Sequence, residues 1–265
     1  MPLPGKSGCL AGTGCLGRKW IWYLNKEAAM EASHLTDHIS RRFNKDLEEL
    51  RNNVQIMGGL VEAQLSRAIA AIVSGDSELG LKVANDDYKV NKIEVAIDEE
   101  CSRILATRSP AAGDLRLIVA IIKTITDLER IGDEAEKIGF LASKLAAMDR
   151  PSDSYRELKS LGNHVARMLR DAMNAFARLD VDAAMAVVRE DELIDDEYDA
   201  ITRQYITFMM EDPRSIRRFI NVTWAARSLE RIGDHATNIA EDLMYMVDGT
   251  IVRHHVGEHV DAKPE

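Results

Sequence analysis

Apolar residues recur at helical intervals along most of the chain. Leu50, Val54, Met57, Val61, Leu65, Ala68 and Ile72 follow one another at spacings of three and four, which puts them on one face of an α-helix. The pattern predicts a first helix from about Leu35 to Ser74, with Gly58-Gly59 marking a bend or a close helix contact. Gly75-Asp76-Ser77 reads as a turn with an N-cap, and a second helix covers roughly Ser77 to Thr107, closed by Ser109-Pro110. A third runs from Ala111 to Met148 along Ile118, Ile121, Ile122, Ile125, Leu128, Gly132, Ala135, Gly139 and Ala142. Its change from large to small side chains predicts a neighbour that approaches the backbone closely. Three further patterns follow: Ser152 to Leu179, Val181 to Met210, and Pro213 to Val247, with Pro213 suited to a first helical turn.

These three repeat the first three. VEAQLSRAIAAIVSGD from Val61 matches VARMLRDAMNAFARLD from Val165, and DDYKVNKIEVAID from Asp86 matches EDELIDDEYDAIT from Glu190, both at an offset of 104 residues. LERIGDEAEKIG from Leu128 matches LERIGDHATNIA from Leu229 at an offset of 101, and the difference falls in the loop around Pro110. An identical hexamer at the same place in two diverged halves signals internal duplication. Short connections make successive helices antiparallel neighbours. The expected fold is therefore all-α, two tandem three-helix bundles with helices of about 30 residues, roughly 45 Å long. Residues 1–29 form a leader outside the fold, 30–149 the first bundle, 150–248 the second, and 249–265 a tail read as flexible.

Composition agrees with helices: 46% of residues are hydrophobic but only 5% aromatic, with six prolines. The net charge is −10, and because the leader has four basic residues against Glu27, the remainder stands at −13. With no basic run along so acidic a chain, nucleic-acid binding is not expected. No stretch approaches the roughly 18 uninterrupted apolar residues of a membrane span. Cys101 reads as a small core residue, and Cys9, Cys15 and Cys101 form neither a zinc spacing nor a disulfide framework, which suits a reducing cytoplasm. The leader, with its WIWYL patch at Trp20–Leu24, reads as a vector remnant or an upstream start rather than a membrane-touching arm.

The candidate chemistry lies in the repeated hexamer. Glu129 and Asp133 share a helix face, Glu136 extends it, and Glu230 and Asp234 repeat the pair, with Asn238 and Glu241 beyond. Like charges at this spacing destabilise a helix by roughly 0.2–0.5 kcal/mol, so something must neutralise them. On the second helix of each half, Asp87 with Asn91 and Asp191 with Asp195 occupy equivalent positions. If these faces meet, each bundle gathers an oxygen-rich site for hard or borderline cations such as Mg, Ca, Mn or Fe. The competing reading is of solvated acidic faces paired with Arg116, Arg130, Arg217 and Arg231, and residues alone leave the two balanced. A ferritin-like oxidase is disfavoured, because Gly132 and Gly233 stand where its Glu-x-x-His motif needs histidine. His235 reads as interfacial or exposed, and His254, His255 and His259 as part of a polar tail. No phosphate loop, nucleophile elbow or organic-cofactor motif appears, and the chain is not expected to be an enzyme.

The duplicated three-helix halves, the paired LERIGD motifs and the Pro110…Asp114-Leu115-Arg116 entry to the third helix resemble the PhoU family over roughly residues 34–248. That resemblance implies a cytoplasmic negative regulator of the phosphate-starvation response and modulator of phosphate uptake. It would be an adaptor between the phosphate ABC transporter ATPase and a two-component sensor histidine kinase, meeting the membrane only through those partners, and a homodimer. It also implies metal clusters at Glu129, Asp133, Glu230 and Asp234, with Asp87, Asn91, Asp191 and Asp195 on the second helices. Asn238 fits the family pattern, whereas Lys137 replaces it in the first half, so the second site is expected to be the better equipped. The alternatives are a metal-dependent helical enzyme or metal-storage protein, and an interaction protein without metal.

Overall fold

The computed structural model describes residues 41–148 and 155–249. They form α1 (Arg41–Ser74), α2 (Ser77–Asp86), α3 (Tyr88–Arg108), α4 (Ala112–Ala146), α5 (Arg156–Arg178), α6 (Val181–Glu211), a 3₁₀ turn (Pro213–Ser215) and α7 (Ile216–Asp248). The expected leader, the start of the first helix, the segment between the halves and the tail beyond Gly249 lie outside the described residues.

The α1 stripe is buried as its spacing requires, with Leu50 through Ala68 fully inaccessible and Ile72 nearly so. Removing each of its leucine, valine, methionine and isoleucine side chains from water stabilises the fold by roughly 1.5–3 kcal/mol. Helices α1, α4, α7 and α5 pack in a ring, each touching the next; α2 and α3 flank α1 and α4, and α6 flanks α5 and α7. By length and apolarity α1 would suit a membrane, but its apolar stripe forms part of a core that runs continuously through both halves. Cys101 lies in that core, and burial pushes its thiol up to about 12.

The halves repeat their local devices. Asp76 Oδ1 accepts from Leu79 N at 2.9 Å to cap α2, and its repeat equivalent Asp180 accepts from Ala183 N at 3.0 Å to cap α6. The residue before each cap is left-handed: Gly75 at φ 71° in the first half, Leu179 at φ 55° in the second.

The expected second helix is divided at Asp87, whose own backbone stays helical (φ −57°, ψ −35°). Above the break α2 lies almost against α4. A Cβ on Gly80 would meet Gly139 O at 2.6 Å, and one on Gly139 would meet Gly80 O at 2.7 Å. Below it α3 leans onto both α1 and α4, and its first turn tightens, with Val90 N donating to Asp87 O at 2.8 Å. The small residues thus mark a close approach. Gly58 does the same against Met173 of α5, whereas Gly59 faces open space.

The halves meet where α4 and α7 run antiparallel. Lys123 Nζ reaches Asp242 Oδ1 at 3.1 Å, Asn238 Nδ2 donates to Asp127 Oδ1 at 3.2 Å, and Arg231 Nη1 reaches Glu134 Oε1 at 2.8 Å. His235 is interfacial, with Nδ1 2.8 Å from Asp127 Oδ1. Glu134 is buried and also receives Lys137 Nζ at 3.0 Å.

Gly139→Ala is expected to destabilise the protein by about 1–3 kcal/mol, because backbone rather than a movable side chain blocks the added methyl. Gly59→Ala should instead be neutral or stabilising by up to about 1 kcal/mol. Urea unfolding of both variants checks the pair; equal midpoints would show that α2 and α4 are not in backbone contact.

Candidate metal centre

In the first repeat the acids come together because nothing stands between Asp87 and α4. Asp87 Oδ1 lies 3.0 Å from where a Cβ on Gly132 would be. Buried there, Asp87 is held at both oxygens: Gln64 Nε2 of α1 donates to Oδ1 at 2.9 Å, and Asn91 Nδ2 donates to Oδ2 at 3.1 Å. Gln64 also reaches Gly132 O at 3.4 Å. Asp87, Asp133 and Glu136 each place a carboxylate oxygen within 4.8 Å of the others. Burial, with Asp87 and Asp133 beside it, raises the Glu136 carboxyl above its ordinary value; burial, with Asp133, Glu94 and Asp87, does the same for Glu129. Glu94 is likewise raised, by burial and by Asp98. The amide oxygens Asn91 Oδ1 and Gln64 Oε1 are buried without a hydrogen-bond partner. Several oxygens with excess negative charge and unspent lone pairs suit a hard cation.

In the second repeat Asp191 and Asp195 of α6 meet Glu230 and Asp234 of α7. Burial pushes Glu230 up to about 7, with Asp234, Asp195 and Asp191 adding to it and Arg227 opposing. Asp191 is raised by burial and by Asp234 and Asp195, and Asp234 by burial and Asp195. A cation of the chain stands beside the motif glutamate in both repeats, Arg130 Nε at 3.5 Å from Glu129 Oε2 in the first and Arg227 more closely in the second. Arg227 Nη1 lies 2.5 Å from Glu230 Oε1, and its guanidinium stands 5.7 Å from the centre of the Tyr198 ring. Glu230 Oε2 remains buried and unpartnered.

Both second helices therefore face their motif helices, and eight of the nine candidate residues fall into two groups. Asn238 does not: its amide is directed across the seam to Asp127. The reason is helical geometry, since each four-residue step advances about 40° around the axis, and two steps from Glu230 turn the side chain away from α6. Lys137, at the equivalent place, is turned to Glu134 in the same way. The geometry therefore does not gather the second repeat's donors more tightly, as the expected ranking would require. Among the described residues the close carboxylate trio belongs to the first repeat, and the second has Thr237 where the first has Glu136. Glu136 shares the motif face but stands outside the candidate set, and neither Gln64 nor Glu94 belongs to it. Glu136 was readable from its spacing to Asp133; Gln64 enters only through the packing of α1.

These features define a class: a duplicated all-helical protein with an acidic, cation-suited face in each repeat. The PhoU domain model matches residues 54–142 and 158–243, one match per repeat. The chain is 51% identical over 231 residues to the phosphate-specific transport system accessory protein PhoU homolog of Pseudomonas putida, covering 87% of this chain and 88% of the relative. It is 48% identical over 233 residues to the phosphate-specific transport system accessory protein PhoU of Escherichia coli K12, covering 88% and 96%. The crystal structure of PhoU from Pseudomonas aeruginosa superposes with a TM-score of 0.76 at 49% identity, over 78% of this chain and all of that one. That of the phosphate transport system regulatory protein PhoU from Streptococcus pneumoniae gives 0.74 at 31% identity, over 79% and 99%. This chain belongs to the PhoU family.

In cation-free protein, Glu230 binds its proton more tightly folded than unfolded. Its contribution to stability is then complete below its ordinary value of 4.5 and is lost as pH rises through about 7. Glu230→Gln should match the parent near pH 4.5 and exceed it in stability above pH 7 or so. Denaturant titrations across that range test this, and a difference that stays constant with pH would contradict the raised carboxyl.

Proposed function

We propose that the chain is a cytoplasmic negative regulator of the phosphate-starvation response and a modulator of phosphate uptake. In this reading it links the ATPase of a phosphate ABC transporter to a two-component sensor histidine kinase, acting as an adaptor without catalysing a reaction of its own.

 The observation that carries this reading is the near full-length identity to phosphate-specific transport accessory proteins. Homodimerisation is part of the same proposal.

The two acidic groups serve, in this proposal, as cation sites that set the shape of the α4–α7 face. Asp87, Glu129, Asp133 and Glu136, with the amide oxygen of Asn91, would hold an ion such as Fe, Mn or Mg in the first repeat. Asp191, Asp195, Glu230 and Asp234 would do so in the second. What supports this is the donor set: clustered carboxylates and a buried amide oxygen with no partner. A bound cation would supply the positive charge that the raised carboxyls lack. No organic cofactor enters the reading.

Two measurements test it. Deleting the gene should switch on phosphate-starvation reporters in high phosphate, and unchanged reporter output would defeat the regulatory reading. Elemental analysis of protein purified without chelator should find metal, with Asp133→Asn losing more of it than Asp234→Asn. Protein that carries no metal and gains none on adding Mn, Fe or Mg would defeat the cation reading alone.

A further inference from the structure

One end of the α4–α7 face is apolar and basic together. Ile216, Ile220 and Trp224 stand one turn apart on α7 and are 41, 37 and 58% exposed, and Phe140 of α4 is 44% exposed. The seam contacts fix the register: residue 123 faces 242, 127 faces 238, and 134 faces 231. Continued by about two to three turns, this register brings Phe140 and Lys144 opposite the Ile220–Trp224 turn. Large apolar side chains on neighbouring helices thus form one patch rather than scattered exposures.

The two helix stretches that carry the patch bear only cations, with Glu136 bordering it one turn before Phe140. From Lys137 to Ala146 α4 carries two lysines and no acid, and from Ile216 to Leu229 α7 carries three arginines and no acid, on a chain whose net charge is −10. Arg227 and Lys137 are engaged by Glu230 and Glu134. Arg217 and Lys144 are exposed and make no ion pair among the described residues.

We propose that this end of the α4–α7 face docks an acidic amphipathic helix of a partner protein. Its apolar side chains would cover Phe140, Ile220 and Trp224, and its carboxylates would meet Arg217 and Lys144. Dimensions support a helix over a bilayer. The ten residues from Lys137 to Ala146 span about 15 Å, room for roughly three helical turns. Beyond them the same face carries Asp133 and Asp234, which an anionic lipid surface would oppose. A second copy of the patch meets the same objection, since its own cations would face Arg217 and Lys144. Complementary charge then sets orientation and on-rate, while the aromatic anchors carry most of the affinity. This goes beyond the regulatory reading and does not depend on either cation site.

The probe is a fluorescein-labelled peptide of about 14 residues, with leucine and phenylalanine at i, i+3, i+4 and i+7 and glutamate elsewhere. Anisotropy with the full chain should show saturable binding. Affinity should fall about tenfold or more in the pair Phe140→Ala with Trp224→Ala, and likewise in Arg217→Glu with Lys144→Glu. Leu115→Ala, at the far end of α4, should leave it unchanged. A lysine version of the peptide with the same apolar face should bind about tenfold more weakly or worse. Circular dichroism and thermal unfolding establish that each variant is folded; all the altered side chains are exposed. Equal affinity for the two peptides, or variants that bind as the parent does, would overturn the proposal. So would displacement of the peptide by phosphatidylglycerol vesicles but not by neutral ones, or a dimer of the chain alone that Trp224→Ala dissociates.

Discussion

A carboxylate can lie against a helix backbone only where that helix has no side chain, and Gly132 provides the gap for Asp87. Higher up, Gly80 and Gly139 bring the backbones of α2 and α4 into contact, so the chain reaches Asp87 already pressed on α4. The helix breaks at that residue, and the amides of Gln64 and Asn91 take both of its oxygens. Asp133 and Glu136 are then confined beside it, and confinement raises Glu136 and Glu129. Desolvation and like charge act in the same direction here. The site follows from the packing, and the packing from three glycines.

The duplication places the two motifs at the same seam. With residues 127 and 238, and 134 and 231, opposite each other, Gly132 of one motif falls opposite Gly233 of the other at the middle of the crossing. Each motif helix thus turns its carboxylates outward to its own second helix and its remaining polar residues inward to its twin. Arg231 shows the division: it follows Glu230 in sequence but pairs with Glu134 of the other half. The repeats diverge in what opposes their acids. Arg227 stands 2.5 Å from Glu230 in the second, while in the first Arg130 stays 3.5 Å from Glu129 and the neutral amides of Gln64 and Asn91 surround Asp87.

Much of this was legible in the order of residues. The apolar stripe of α1 is buried at every position that its spacing named, and the repeated hexamer located both acidic faces. Ile122 belongs to the α4 stripe by spacing yet is only partly buried, because a stripe read over about seven turns drifts where neighbours change. Asn238 enters the candidate set for a related reason: a chain of four-residue steps looks straight in sequence but winds around the helix. The basic patch was invisible, since Lys137–Lys144 and Arg217–Arg227 lie far apart in the chain and neither is a dense run.

The sequence by itself determined the helices, their duplication and the residue types that face one another, because helical periodicity and repeat offsets are local and additive. Tertiary structure decided which oxygens converge, which repeat holds the closer trio, and that Gln64 from a third helix joins it. It also decided that Asn238 belongs to the seam. Those outcomes depend on how closely two backbones approach and on the angle at which each side chain leaves its helix, and neither quantity is written in spacing alone.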